Sequence, residues 1–86
     1  METERKIYLT RKALGWSQEY LGSHLGISQR QYGRLESGEC NITLKTLTVL
    51  CREWGITLNQ LTGMSVEELS DLIRENRKGK PNTGSE

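Results

Sequence analysis

Residues 18–35 read Gln18-Glu19-Tyr20-Leu21-Gly22-Ser23-His24-Leu25-Gly26-Ile27-Ser28-Gln29-Arg30-Gln31-Tyr32-Gly33-Arg34-Leu35, and their spacing decides the fold. Apolar residues recur at helical intervals on both sides of Gly26-Ile27-Ser28, so the stretch reads as two short helices joined by a three-residue turn. Gly26 can close the first helix in the left-handed conformation, and Ser28 can accept a bond from a first-turn amide of the second. Gly22 lets the two helices approach closely, while Leu21, Ile27, Tyr32 and Leu35 are placed to bury their contact. A generic helical hairpin does not require a small residue, a turn glycine and four apolar residues at these offsets together.

The same punctuation continues in both directions. Gly15, Gly26, Gly38, Gly55, Gly63 and Gly79 each follow a periodic segment, where a left-handed residue would end a helix. Ser17, Ser28, Thr43, Thr57 and Ser65 are the matching N-caps. Each cap is bracketed by an apolar staple: Trp16/Leu21, Ile27/Tyr32, Ile42/Leu47, Ile56/Leu61 and Met64/Leu69. Ser28/Gln31, Thr57/Gln60 and Ser65/Glu68 have the spacing of a capping box. The expected fold is therefore all-α, a compact bundle of five short helices, Thr3–Leu14, Gln18–Leu25, Gln29–Ser37, Leu44–Trp54 and Leu58–Thr62, plus a C-terminal sixth helix, Val66–Lys78. One domain over 3–78 is expected, and 79–86, which has no apolar anchor, is expected to be a disordered tail. Helical periodicity assigns the core to Ile7, Leu14, Leu21, Leu25, Tyr32, Leu35, Leu44, Leu47, Leu50, Cys51, Trp54, Ile56, Leu58 and Leu61.

Composition narrows the function. Eighty-six residues suffice for one small domain, and no stretch approaches the roughly 18 apolar residues of a membrane span. The N-terminus lacks the basic and then apolar pattern of a secretory signal, so a cytoplasmic location is expected. Cys40 and Cys51 fit neither a CxxC pair nor a zinc pattern, and they are read as reduced thiols with no metal site. With His24 the lone histidine and no phosphate-binding glycine loop, no catalytic residues and no cofactor are proposed. The net charge of +1 conceals a division, because residues 1–52 carry eight Lys/Arg against five Asp/Glu and residues 53–86 carry four against six. The basic half holds the paired helices, a mild sign of a front that faces an anion.

Two helices with this turn form a helix-turn-helix, in which the second helix enters the DNA major groove and the first crosses the backbone. The chain from about Ile7 to Gly63 resembles the lambda-repressor-like family of Cro and repressor domains, also called the XRE family. That resemblance rests on Gly15-Trp16-Ser17-Gln18-Glu19-Tyr20-Leu21-Gly22, Leu25-Gly26-Ile27-Ser28 and Leu35-Glu36-Ser37-Gly38, and on Thr46-Leu47 through Trp54-Gly55-Ile56 to Leu61.

The resemblance implies a sequence-specific transcriptional regulator of double-stranded DNA, a repressor on a palindromic operator. It implies that Gln29, Arg30 and Arg34 reach base edges, chemistry that suits Gln on adenine and Arg on guanine. Gln31 is claimed both by that face and by the capping box. Ser17 and Gln18 would bond phosphate, with Asn41, Thr43 and Lys45 helping, and Arg11 would pair structurally with Glu36.

Two departures stand out. Gly33 lies inside the reading helix, where it either permits closer approach to the groove or loosens the helix. The loop Glu39-Cys40-Asn41-Ile42 lacks the basic residues with which many relatives grip phosphate. The family usually binds as a homodimer on half-sites about one helical turn, roughly 34 Å, apart, which places Trp54, Ile56, Leu58 and Leu61 at the expected dimer interface. The sixth helix, with Val66, Leu69, Leu72 and Ile73 on one side, either extends that interface or caps the core. The alternative is an antitoxin or protein-interaction module whose acidic sixth helix, with Glu67, Glu68, Asp71 and Glu75, binds a toxin or another regulator.

Overall fold

Hydroxyl side chains set where the helices of this chain begin. The computed structural model describes residues 2–78 and contains α1 (Glu2–Leu14), α2 (Gln18–Leu25), α3 (Gln29–Ser37), α4 (Leu44–Trp54), α5 (Leu58–Gly63) and α6 (Val66–Lys78). Ser17, Ser28, Thr43 and Thr57 hold extended backbone, and each accepts a bond from the amide three residues on. Ser65 does the same for Glu68, whose carboxylate accepts from the Ser65 N–H at 3.0 Å. All three expected capping boxes are formed, which satisfies first-turn amides that would otherwise lack partners.

The helix ends follow the glycines with one correction. Gly15, Gly26, Gly38 and Gly55 are left-handed, but Gly63 is the last residue of α5 and has no positive φ. That helix stops at Met64, whose extended backbone turns the chain while its N–H bonds the Gln60 carbonyl at 2.9 Å. The start of α6 follows immediately, which leaves no room for a separate glycine turn. Gly79 and the expected tail 79–86 lie outside the described residues.

One apolar core draws on every helix: Ile7 from α1, Leu21 from α2, Tyr32 from α3, Leu50, Cys51 and Trp54 from α4, Leu61 from α5, and Leu69 and Ile73 from α6, with Ile56 from the α4–α5 connection. Both cysteines are free; Cys40 is exposed, and burial pushes the Cys51 thiol above its ordinary range. No helix among the described residues is long and apolar enough to cross a membrane. Leu69 and Ile73 are fully buried, so of the two roles open to the sixth helix it takes that of capping the core.

Side chains from α1 and α6 also finish other helices. Lys6 Nζ donates to the Thr62 carbonyl at the end of α5, Arg74 donates to the Ala13 carbonyl at the end of α1, and Asn76 Nδ2 donates to the carbonyls of Trp54 and Gly55 after α4. Carbonyls left over at helix C-termini are thus bonded across the tertiary structure.

Two expected core residues are not core. Leu44 is 68% exposed and Leu58 40% exposed, although both lie on the apolar stripe of their helices. Each is the first residue of its helix, and periodicity fixes the direction of such a side chain without guaranteeing that a neighbour reaches far enough to cover it. Leu35 is only partly buried.

Gly55 combines a φ of +70° with close approach, since an added Cβ would lie 2.9 Å from Asn76 Nδ2. Gly15 has a similar φ of +78° but open space around it. Gly15→Ala should therefore cost about 1–2 kcal/mol of backbone strain. Gly55→Ala should cost more, and Asn76→Ala should recover part of the excess in a double-mutant cycle read by chemical denaturation.

Candidate nucleic-acid interface

The helix that would read DNA is anchored through one carboxylate. Glu36, on the inner side of α3, accepts from Arg11 Nε at 2.7 Å and Arg11 Nη2 at 3.1 Å, from the Tyr32 hydroxyl at 2.6 Å, and from Gln18 Nε2 at 3.1 Å. Arg11 Nη1 also donates to the Trp16 carbonyl at 2.6 Å, so the same guanidinium holds the α1–α2 connection. The expected Arg11–Glu36 pair is present, with side chains only 7% and 6% exposed.

Electrostatics follow from this geometry. Burial by itself would raise the Glu36 carboxyl, but hydrogen bonds from Arg11, Tyr32 and Gln18 outweigh it and hold the group below its ordinary value of 4.5. The bond to Glu36 raises Arg11 against the opposing effect of burial. Burial, reinforced by the bond to Glu36, drives the Tyr32 hydroxyl far above its ordinary value, so it remains a donor.

Close packing completes the motif. An added Cβ at Gly22 would meet the Ile27 carbonyl oxygen at 3.2 Å and the Ser28 carbonyl oxygen and Tyr32 Cβ at 3.4 Å, tighter than an ordinary contact. Gly22 therefore allows α2 to seat against the turn and α3. On the other side of α2, Trp16 lies edge-on to Trp54 at 6.4 Å, Arg77 sits 4.8 Å over the Trp16 ring, and His24 Nδ1 is 3.2 Å from Glu53. These contacts fix α2 against α4 and α6.

With Tyr32 and Glu36 turned inward, the opposite face of α3 carries Arg30 and Arg34, while Gln29, three residues before Tyr32, is reached from outside because it is the first residue of the helix. Gln29, Arg30 and Arg34 are all exposed, and Arg30 and Arg34 are neighbours at i and i+4. Gln31 is exposed and turns its carbonyl oxygen back to the Ser28 N–H at 3.4 Å, as the capping box requires. Ser17 and Thr43 use their hydroxyl oxygens to cap α2 and α4, while Asn41 and Lys45 are exposed.

Gln18 has a structural role beside the expected phosphate contact. Its Nε2 donates one hydrogen to Glu36, and its Oε1 lies 3.5 Å from where a Gly33 Cβ would be. A buried carboxylate takes available donors more strongly than solvent does, so this side chain is part of the anchor.

The four residues expected at a dimer interface also separate. Trp54 and Leu61 are 0% exposed and Ile56 is 7% exposed, all three within the core as their helical phase also predicts; of the four, Leu58 is the one classed as exposed.

Sequence reasoning misses the Tyr32 hydroxyl and the Gln18 amide as donors to Glu36, and the spacing of Tyr32 to Glu36 at i and i+4 was the available signal for the first. It also misses Arg5 and Tyr8, which line a cleft beside Gln18, Gly33, Glu36 and Ser37. Their spacing of three residues puts them on one face of α1. Among the described residues, no group of His, Cys, Asp and Glu could hold a metal ion.

The geometry agrees with comparison to known families. A helix-turn-helix family model matches residues 7–61, more than half of the chain and the whole of the α2–α3 unit. No curated protein and no solved structure matches the chain.

Two outcomes follow. Because the folded Glu36 carboxyl is held below its unfolded value, its contribution is complete above pH 4.5 and is lost as pH falls through the depressed folded value. Glu36→Gln should lower the denaturation midpoint at pH 7 and flatten the acid limb below pH 4.5 relative to wild type, read by urea titrations across that range. Gly33→Ala meets only ordinary contact with Gln18 and should stabilise α3 by about 0.5–1 kcal/mol.

Proposed function

Because this chain belongs to the lambda-repressor-like helix-turn-helix family, we propose that it is a sequence-specific, double-stranded-DNA-binding transcriptional regulator that represses from a palindromic operator as a homodimer. The observation that carries this reading is the division of α3 into an inner face locked by Tyr32 and Glu36 and an outward face bearing Arg30 and Arg34, with Gln29 exposed at the first position of the helix. Reading a base edge requires a side chain delivered in a fixed place, and a buried anchor on the opposite side of the helix supplies it.

Arg30 and Arg34 suit the paired acceptors of guanine, and Gln29 suits adenine. Ser17 can donate its hydroxyl hydrogen to a phosphate while its oxygen caps α2. Asn41, Thr43 and Lys45 approach the backbone from the start of α4. These contacts belong to a protein acting where DNA is, in the cytoplasm.

One recognition helix spans too few base pairs to be selective, which favours a two-fold complex on adjacent half-sites. Leu58, still exposed at the start of α5, is the apolar point we assign to the contact with a second copy. The protein-partner alternative keeps the exposed Glu67, Glu68, Asp71 and Glu75 of α6 as its surface, but Leu69 and Ile73 turn into the core and leave that surface without their apolar anchor.

The test is selection of bound sequences from a random duplex library by wild type, Arg34→Ala and Leu58→Asp. Wild type should enrich an inverted repeat. Arg34→Ala should relax one position in each half-site, a loss of about 1–3 kcal/mol of discrimination. Leu58→Asp should bind single half-sites only, and weakly. A folded wild-type protein that enriches no sequence would overturn the reading and favour a protein partner.

A further inference from the structure

We infer that Arg5 and Tyr8 of α1 form a second phosphate-binding site, which grips the DNA backbone beside the recognition helix. The inference rests on the DNA-binding reading above and extends the contact to a helix outside the helix-turn-helix unit.

The site is a cleft walled by Arg5, Tyr8, Gln18, Gly33, Glu36 and Ser37. Gly33 contributes no side chain to it, so the middle of α3 recedes here. The sign of the cleft is set by Arg5. Glu36 also lines it, but its charge is matched by the Arg11 guanidinium at 2.7 Å and its oxygens are taken by Arg11, Tyr32 and Gln18. Arg11 in turn lies 5.5 Å from the centre of the Tyr8 ring, a contact that holds the phenol beside the cleft while the Arg11 charge stays matched by Glu36.

The donors present are those a phosphate accepts from: the guanidinium of exposed Arg5 and the phenol of half-buried Tyr8. A base edge is a poorer fit, because the cleft lies to the side of the face that carries Arg30 and Arg34. Ser37, three residues beyond Arg34 and one of the cleft's walls, makes the cleft continuous with that face.

The placement also answers a deficit in the sequence. The loop 39–42 after α3 has no Lys or Arg, so it offers a phosphate no side-chain cation. Arg5 supplies the missing cation from the opposite flank of α3.

The experiment measures affinity by fluorescence anisotropy for two duplexes of equal length, the library-selected sequence and a scrambled one, from about 50 to about 200 mM salt. Wild type is compared with Arg5→Ala, Arg5→Lys, Arg34→Ala and Arg52→Ala, the last removing one charge near the far end of α4. Arg5 is exposed, so all Arg5 variants should melt as wild type does by circular dichroism.

Arg5→Ala should weaken both duplexes by the same factor and reduce the slope of log affinity against log salt by about one. Arg5→Lys should keep the wild-type slope, and Arg52→Ala should leave both quantities unchanged. If Arg5→Ala matches wild type while Arg34→Ala still loses sequence preference, Arg5 is not on phosphate and only this inference fails. Loss confined to the selected duplex would mark a base contact and overturn it equally. Absence of salt-dependent binding by wild type to either duplex would remove the DNA-binding reading beneath it.

Discussion

A carboxylate taken out of water must be matched by charge and hydrogen bonds, and Glu36 is matched by donors from three helices. Arg11 comes from α1, Gln18 from α2 and Tyr32 from α3 itself, and Arg11 reaches on to the backbone of the α1–α2 connection. Removing one member leaves the others uncompensated, at a cost of about 3–5 kcal/mol for a buried pair. That is a large share of the roughly 4–13 kcal/mol expected of a domain this size. An apolar cluster could hold the helices together as strongly, but it has no directional bonds with which to set the rotation of α3 about its axis.

Rotation of α3 is what the proposed function needs. Tyr32 and Glu36 occupy one side, so Arg30 and Arg34 must occupy the other. The close seat of α2 at Gly22 fixes the tilt between the two helices, and Trp16, edge-on to Trp54 with Arg77 over its face, ties the α1–α2 connection to α4 and α6. The sixth helix serves the same end from a distance: by burying Leu69 and Ile73 it enlarges a core that five short helices could complete only in part.

What the sequence made legible was mostly local. Caps, staples and capping boxes operate within a few residues, so Ser17, Ser28, Thr43, Thr57 and Ser65 marked five helix starts that the structure reproduces. The Arg11–Glu36 pair was available through family resemblance, because nothing local links residues twenty-five apart. What could not be read was coverage and competition. Leu44 and Leu58 have the right phase but remain exposed, whereas Trp54 and Leu61, expected both in the core and at a dimer interface, are buried in the chain's own core. Gln18 has the chemistry to bond a phosphate, yet Glu36 competes for its amide. The neighbourhood of Arg5, Tyr8 and Gly33 is created by the packing of α1 on α3, and no motif spans it.

The most direct test of an α3 held from behind and read from its front is an amide chemical-shift titration of the isotope-labelled protein with the library-selected duplex. The account expects shifts at Ser17 and along Gln29 to Arg34, with the Tyr32 hydroxyl still protected by Glu36 in the complex and the α6 amides near Glu67 and Asp71 unmoved. Shifts concentrated on α6 with a silent α3 would contradict it, and would put the working face of this protein on the acidic side of α6.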